Sequence, residues 1–263
     1  MSLTAADLDA RAVLARELAR AGGALALRYF HRDLAYSREA KGPQDWVSEA
    51  DRAVEALVRR EIERRFPDDH FLGEEEGGST GRESWVVDPV DGTINFVHGV
   101  RYWCVSIGFV ADGVREIGVV YDPCLDELFW AQRGKGAWCG DQPLRISSCG
   151  ALDEALVAAG YVPRHSLDEH LALRRRMLDS GAALKDMGAG ALMLAHTAAG
   201  RYDAFYEPHM HPWDACAGLL LIEEAGGRVL PYPGSSPLAV GARVIGSAPG
   251  VFDALCGLIN ATS

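Results

Sequence analysis

One stretch constrains this chain more than any other: WVVDPVDGTINF, residues 85–96. Trp85, Val86 and Val87 are apolar and β-branched or aromatic, a pattern that predicts a buried strand. Asp88 and Asp91 follow at its mouth, with Pro89 between them to fix the backbone. Gly92 then allows a tight turn, and Thr93 is placed to start a helix whose first N–H groups point outward. Two carboxylates at the end of a buried strand repel each other, and such clustering costs stability unless a counter-charge is present.

The other acids beside glycine turns or element ends, rather than on helix surfaces, are Asp51, Glu74, Glu75 and Asp214. A glycine ahead of a helix N-terminus is an anion site, with phosphate its usual guest. Hard oxygen ligands beside such a site indicate Mg²⁺, which takes carboxylates, waters and phosphate oxygens. Asp88 is placed to bridge two such ions, roughly 3.5–4 Å apart. An isolated Asp-Pro or Asp-Gly pair would be ordinary turn chemistry. Here a buried strand, two acids, a glycine, a hydroxyl and an upstream glutamate pair occur together. No His/Cys set has zinc spacing.

The 263 residues suffice for a full core as one large domain or two lobes, and 48% apolar with 24% charged residues is an ordinary globular composition. The net charge of −11 argues against duplex binding, which needs a basic face. None of the six cysteines forms a C-x-x-C pair, and they are expected to be reduced and mostly buried. Residues 1–30 lack the uninterrupted apolar core of a signal peptide, and no run is long enough to span a membrane. The cytoplasm is the expected location.

Along the chain, Thr4 and Asp7 cap a first amphipathic helix with Leu14, Leu18, Ala21, Leu25 and Tyr29 on one face. Ser48 caps a second helix running to about Phe66, with Asp51 in its first turn and Val54, Leu57, Val58 and Ile62 as its buried stripe. A short strand is expected at 70–73, and GGSTG (77–81) has the composition of a mobile flap. Antiparallel strands follow, with Asp112-Gly113 as a hairpin turn. From about residue 150, strands alternate with helices, as in an α/β layer. The reading is an α+β front half (1–149) carrying the metal and phosphate motifs and an α/β back half (150–263) closing the substrate site.

The strings GEE (73–75), DPVDGTINF (88–96) and WDACAG (213–218), with VSIGFV, GVVYDP, GKGAW and EEAGGRV, resemble the inositol monophosphatase family of magnesium-dependent, lithium-sensitive sugar-phosphate phosphatases. The likeness covers nearly the whole chain. It implies a layered αβαβα sandwich of the sugar-phosphatase type, two or three Mg²⁺ ions per active site and a homodimer. By the same resemblance, Glu74, Asp88 and the Val90 carbonyl hold one ion, and Asp88, Asp91 and Asp214 the second. A third, weaker ion sits near Glu74. Gly92 and Thr93 donate N–H groups to the phosphate. Asp51 with Thr93 orients or deprotonates the attacking water, with Glu74 close by. Glu75 is a neighbour of this set, Lys41 lies near the phosphate, and Glu207 contacts the substrate hydroxyls.

The chain departs from the family pattern at KDMGAGALML (185–194). Lys185 takes an arginine position, Ala189 replaces a serine or threonine, and Gly190 replaces an alanine. With Gly188 these positions lie near the substrate's ring in relatives, so the departure bears on the alcohol and not on the phosphate chemistry. His209 and His211 share a face of an extended segment, as pocket lining, as a structural pair or as a transition-metal pair. His98 reads as structural, and Arg174, Arg175 and Arg176 as a solvated helix face. The leading function is Mg²⁺-dependent hydrolysis of a small phosphorylated polyol or amino alcohol, inositol 1-phosphate first. Histidinol phosphate, fructose 1,6-bisphosphate and a nucleotide 3′-phosphate are alternatives. A non-catalytic, RNA-polymerase-associated role, which some bacterial relatives suggest, ranks below these.

Overall fold

The first helix, α1 (Ala5–Phe30), begins with a capping box: Thr4 Oγ1 accepts the Asp7 N–H at 3.2 Å and Asp7 Oδ2 accepts the Thr4 N–H at 2.9 Å. Its buried face differs from the expected stripe. Leu14 and Leu18 are inside, but Ala21 is exposed, and Ala15, Ala19, Gly22 and Ala26 complete the packing surface. Small residues let this helix lie close to its neighbours, a preference that hydrophobicity alone does not reveal. The structure, a computed structural model, describes residues 3–34, 38–42, 45–161, 166–235 and 237–260, with only the backbone of 38–42 and 45–47.

Strands β1 (Arg38–Gly42) and β2 (Asp45–Ser48) pair antiparallel and lead into α2 (Glu49–Arg65). Ser48 caps α2 as predicted, its Oγ accepting the Ala50 N–H at 3.2 Å. Val54, Val58 and Ile62 are fully buried, with Leu57 half-buried at the edge of the stripe. One residue on this face is unexpected: Glu55 is fully buried too.

Seven strands then form one sheet in chain order: β3 (His70–Gly73), β4 (Glu83–Asp91), β5 (Cys104–Ala111), β6 (Val114–Asp122), β7 (Glu127–Gln132), β8 (Ala137–Cys139) and β9 (Gln142–Pro143). β3 and β4 are parallel and the remaining pairs antiparallel. Asp112 and Gly113 make the β5–β6 turn at φ 50° and 77°, the positive values that a two-residue hairpin demands. The β4–β5 register shifts between Asp88 and Asp91. Pro89, which has no N–H for the ladder, sits in that irregularity. A short helix, α3 (Thr93–His98), follows β4 directly.

The back half alternates as expected: β10 (Leu156–Ala159), α4 (Leu167–Asp179), β11 (Ala183–Lys185), α5 (Gly190–Ala198), β12 (Ala204–Met210), α6 (Pro212–Glu224), β13 (Arg228–Val229), β14 (Ala242–Ser247) and α7 (Pro249–Asn260). Its sheet has the order β11-β10-β12-β14-β13, with β10 parallel to β11 and β12, and β14 antiparallel to β12 and β13.

These elements stack in five layers. α1 and α2 cover one face of the seven-stranded sheet, and α5 and α6 lie between its other face and the five-stranded sheet. α4 and α7 cover the outer face of the latter. The αβαβα sandwich is thus observed. α6 is buried continuously from Ala215 to Ile222, as a helix between two sheets must be.

One smaller expectation needs correction. Only Cys104 and Cys216 of the six free cysteines are buried; the other four are half-buried. In the 77–81 segment the Ser79 N–H donates to the Phe71 carbonyl at 3.0 Å and the Gly81 N–H to Ser84 Oγ at 2.8 Å. No described helix is long and apolar enough to cross a membrane.

Candidate active site

The irregular end of β4 delivers Asp88, Val90 and Asp91 to the floor of a cavity of about 240 Å³. Asp88 Oδ1 accepts the Val90 N–H at 2.9 Å, closing a turn over Pro89. Gly92 follows at φ 91°, a left-handed conformation that costs a residue with a Cβ about 1–2 kcal/mol. This reversal starts α3 at once and puts Thr93 on the cavity wall beside Asp91. Across the cavity, Asp214 stands in the first turn of α6, where its Oδ2 accepts the His211 N–H at 3.2 Å.

Asp88, Asp91 and Asp214 each offer an oxygen within 4.8 Å of the others. Glu74, just past β3, joins them through a hydrogen-bonding contact with Asp88. Burial is the main force pushing all four carboxyls above their ordinary range. Mutual repulsion adds to it: Asp214 acts on Glu74, Glu74 and Asp214 act on Asp88, and Asp91 acts on Asp214. Asp91 is raised to about 6 and Asp214 to about 8. Asp91 is held back by the Gly190 and Leu192 N–H groups, which donate to its two oxygens at 3.0 and 3.1 Å. Among the described residues lining the cavity there is no lysine or arginine. A set of buried and half-buried, mutually repelling carboxylates with only oxygen donors fits a hard divalent cation.

Behind Thr93 lies Asp51, with none of its surface exposed. Asp51 Oδ2 closes the capping box of α2 by accepting the Ser48 N–H at 2.9 Å. Its Oδ1 accepts the Thr93 hydroxyl at 3.2 Å, and the same hydroxyl lies 3.1 Å from the Val90 carbonyl. Burial raises Asp51 to about 6 against the opposing Ser48 bonds, and Glu75 adds repulsion.

The opposite wall comes from the back half. Gly188, Ala189 and Gly190 approach Asp91 at the start of α5, and Glu207 projects from β12. Burial, then repulsion from Asp91 and Asp186, pushes Glu207 up to about 8. Asn95 ties the two halves together: its Nδ2 donates to the Tyr102 carbonyl at 2.8 Å and to the Met187 carbonyl at 2.7 Å.

The structure therefore brings Glu74, Asp88, Val90, Asp91, Gly92 and Thr93 to one cavity with Gly188, Ala189, Gly190, Glu207 and Asp214. Asp51 stands behind this wall, Glu75 acts on Asp51 and Glu74 by charge repulsion, and the side chain of Lys41 lies outside the described residues. Several lining residues escaped sequence reasoning: Gly160, Tyr161, Asp186, Met193 and Met210. Met210 was flanked by a clue, the alternation His209-Met210-His211. Met210 lines the cavity, whereas the two histidines meet edge to face at 4.9 Å and His211 stacks on Trp213 at 4.6 Å. Among the described residues, neither histidine belongs to a group of three or more side chains that could hold a metal ion. The basic run is also more than a solvated face. Arg174 pairs with the cavity residue Asp186 at 3.2 Å, and Arg176 Nε donates to the Leu258 carbonyl at 3.1 Å.

Comparison with known proteins agrees with this geometry. The model of the inositol monophosphatase family matches residues 7–261. An inositol-1-monophosphatase of Rhizobium meliloti is 40% identical over 79% of the chain and 80% of its own length. The Nus factor SuhB of Pseudomonas aeruginosa is 38% identical over 92% of the chain and 93% of its own length. Among solved structures, the extragenic suppressor protein SuhB of Bartonella henselae superposes with a TM-score of 0.90 at 32% identity, covering 97% of this chain and 100% of that one.

Proposed function

The chain belongs to the inositol monophosphatase family and is a phosphoric monoester hydrolase, and from that premise we propose that it hydrolyses inositol 1-phosphate with the help of two or three Mg²⁺ ions. The observation that carries this reading is the convergence of Asp88, Asp91 and Asp214 beneath the Gly92–Thr93 turn. In this reading Glu74, Asp88 and the Val90 carbonyl hold one ion, and Asp88, Asp91 and Asp214 the second. Bound there, Mg²⁺ supplies Lewis-acid stabilisation of the phosphoryl charge and makes water nucleophilic near neutral pH. Uncatalysed phosphate-monoester hydrolysis is so slow that acceleration reaches ~10²¹-fold in the extreme.

The chain's own groups do the remaining work. The Gly92 and Thr93 N–H groups orient the phosphate. The Thr93 hydroxyl, already donating to Asp51, receives the proton of the attacking water and passes its own to Asp51 Oδ1. Burial supports Asp51 in this task, since a carboxyl raised to about 6 holds a proton better than a free one. Glu207 accepts hydrogen bonds from the hydroxyls of the departing alcohol. Glu75, and Lys41 by the family resemblance, adjust the field around the phosphate.

The Rhizobium relative's name favours inositol 1-phosphate. The changes at Ala189 and Gly190 keep histidinol phosphate as the second substrate. Lithium inhibition, a homodimer and a cytoplasmic location complete the proposal by resemblance. The Pseudomonas relative's name supports a second reading, a Nus-factor role alongside hydrolysis. Phosphate release from a panel of inositol, histidinol, fructose and nucleotide phosphates, with Mg²⁺ and with added lithium, tests the proposal. Release from inositol 1-phosphate first, suppressed by lithium, is expected; preference for another ester would reassign the substrate.

A further inference from the structure

One buried acid takes no part in the site just described. Glu55 lies one helical turn after Asp51 on α2 and has no exposed surface. Its carboxylate faces the backbone of the residues that follow Glu74. Oε2 accepts the Glu75 N–H at 2.8 Å and Oε1 accepts the Glu76 N–H at 3.0 Å. Arg59 Nη2 donates both to Glu55 Oε1 and to the Gly77 carbonyl, each at 3.0 Å. The approach is so close that a Cβ on Gly73 would stand 2.3 Å from Glu55 Oε2. Glycine at 73 is therefore required for this carboxylate to reach the turn.

The opposite side of the same turn is also held. The Glu74 N–H donates to the Val87 carbonyl at 3.2 Å, one residue before Asp88, and the Gly73 N–H to the Gly77 carbonyl at 3.1 Å. Glu74 is thus clamped between β4 and α2. Its own N–H is bound to the strand that carries Asp88, and the next two N–H groups are bound to Glu55. Hydrogen bonds to an ionised acceptor are about twice as strong as neutral ones, which suits a fixture rather than a surface contact. Holding the peptide on both sides fixes where the Glu74 Cα stands relative to Asp88 and narrows the approach of its side chain.

We infer that Glu55, with Arg59 as its counter-ion, is a positioning residue that sets the cation affinity of the Glu74–Asp88 pair. The inference rests on the reading that Glu74 holds a cation. Partners behind metal ligands contribute about 10–100-fold in affinity where they have been removed. α2 then serves the site twice, through Asp51 toward the water and through Glu55 toward the metal ligand, and the spacing of four residues puts both on one helical face.

The test is Mn²⁺ binding, followed by electron paramagnetic resonance and by calorimetry on the purified full chain. Wild type, E55Q, E55A and E74Q are compared, with circular dichroism to confirm folding. E55Q has the shape of the native residue but presents an amide NH₂ to one of the two backbone N–H groups. It is expected to weaken one class of Mn²⁺ site by about tenfold, and E55A by up to about 100-fold. The Mg²⁺ concentration for half-maximal turnover should rise in parallel, with kcat recovering at saturating Mg²⁺ and KM for the ester unchanged. A residue that merely stabilised the fold would lower the melting temperature and leave the Mn²⁺ affinity alone. Wild-type affinity in folded E55Q, with the site lost in E74Q, overturns the role of Glu55. Wild-type affinity in E74Q as well overturns the reading of Glu74, and this inference with it.

Discussion

The Thr93 hydroxyl lies 3.2 Å from Asp51 Oδ1, so the first residue of α3 is coupled to the capping acid of α2. The other oxygen of Asp51 is committed to Ser48. One carboxylate therefore holds a helix start and faces the proposed proton path.

Asp51→Asn keeps this shape but removes the proton acceptor. It should lower kcat about 10²–10⁴-fold, the usual size of a general-base contribution, while the Mg²⁺ midpoint stays within about twofold. Thr93→Val should lower kcat in the same direction. Steady-state kinetics across Mg²⁺ concentrations checks both; a shifted Mg²⁺ midpoint at unchanged kcat would assign Asp51 to the metal instead.

The acids of the cavity and of its rear wall make a pH prediction whose sign is definite. Asp51 and Asp91 are raised to about 6, and Asp214 and Glu207 to about 8. In the metal-free state the folded chain therefore holds protons that the unfolded chain has released. Their stabilising effect is full below about pH 4 and is lost as pH rises through 6 and 8. In chelator, stability should fall by a few kcal/mol between pH 5 and pH 8, each tenfold gain in a carboxylate's proton affinity being worth about 1.4 kcal/mol before cavity water is discounted. Mg²⁺ should restore stability at pH 8 and have little effect at pH 5. Denaturant titrations with Mg²⁺ and with chelator check this, and a metal-free chain more stable at pH 8 would contradict it.

By the family resemblance, Gly190 stands where this chain departs from the usual pattern. A Cβ there would stand 2.7 Å from the Met210 methyl and 3.4 Å from Glu207 Oε2. Since the methyl ends a flexible side chain, Gly190→Ala should cost under about 1 kcal/mol in stability. It should push Met210 into the cavity and change KM several-fold, with different factors for inositol and histidinol phosphates and a smaller effect on kcat. Equal KM changes for both esters would remove Gly190 from substrate selection.

The convergence of Asp88 and Asp91 was legible because their string joins features that rarely coincide: a strand, a proline, a glycine and paired acids. Asp214 was legible from its place at a helix start. Glu55 was not, because an acid within an apolar stripe reads as a residue at its solvent edge until the partner turn at 74–77 is seen. Asp186 and Met210 reach the cavity through the order of the rear sheet, which places β11 and β12 on either side of β10. That order is a long-range outcome no local period encodes. The bent line of Ala15, Ala19 and Gly22 on α1 was missed because close packing selects for small size as well as for hydrophobicity.

Asp88 is the residue on which the two-cation reading depends most. One of its oxygens accepts the Val90 N–H, a bond that asparagine can keep, and the carboxyl also contacts Glu74 and Asp214. Asp88→Asn would place an amide donor against two carboxylates, relieving repulsion while removing the shared ligand. Melting in chelator, expected to be equal to or above wild type, serves as the fold control. The decisive measurement is Mg²⁺-dependent phosphate release by this variant. The expected result is a loss of at least about 10³-fold, in the range that follows removal of a transition-state electrostatic group. Release within tenfold of wild type would contradict the claim that these carboxylates hold the catalytic cations.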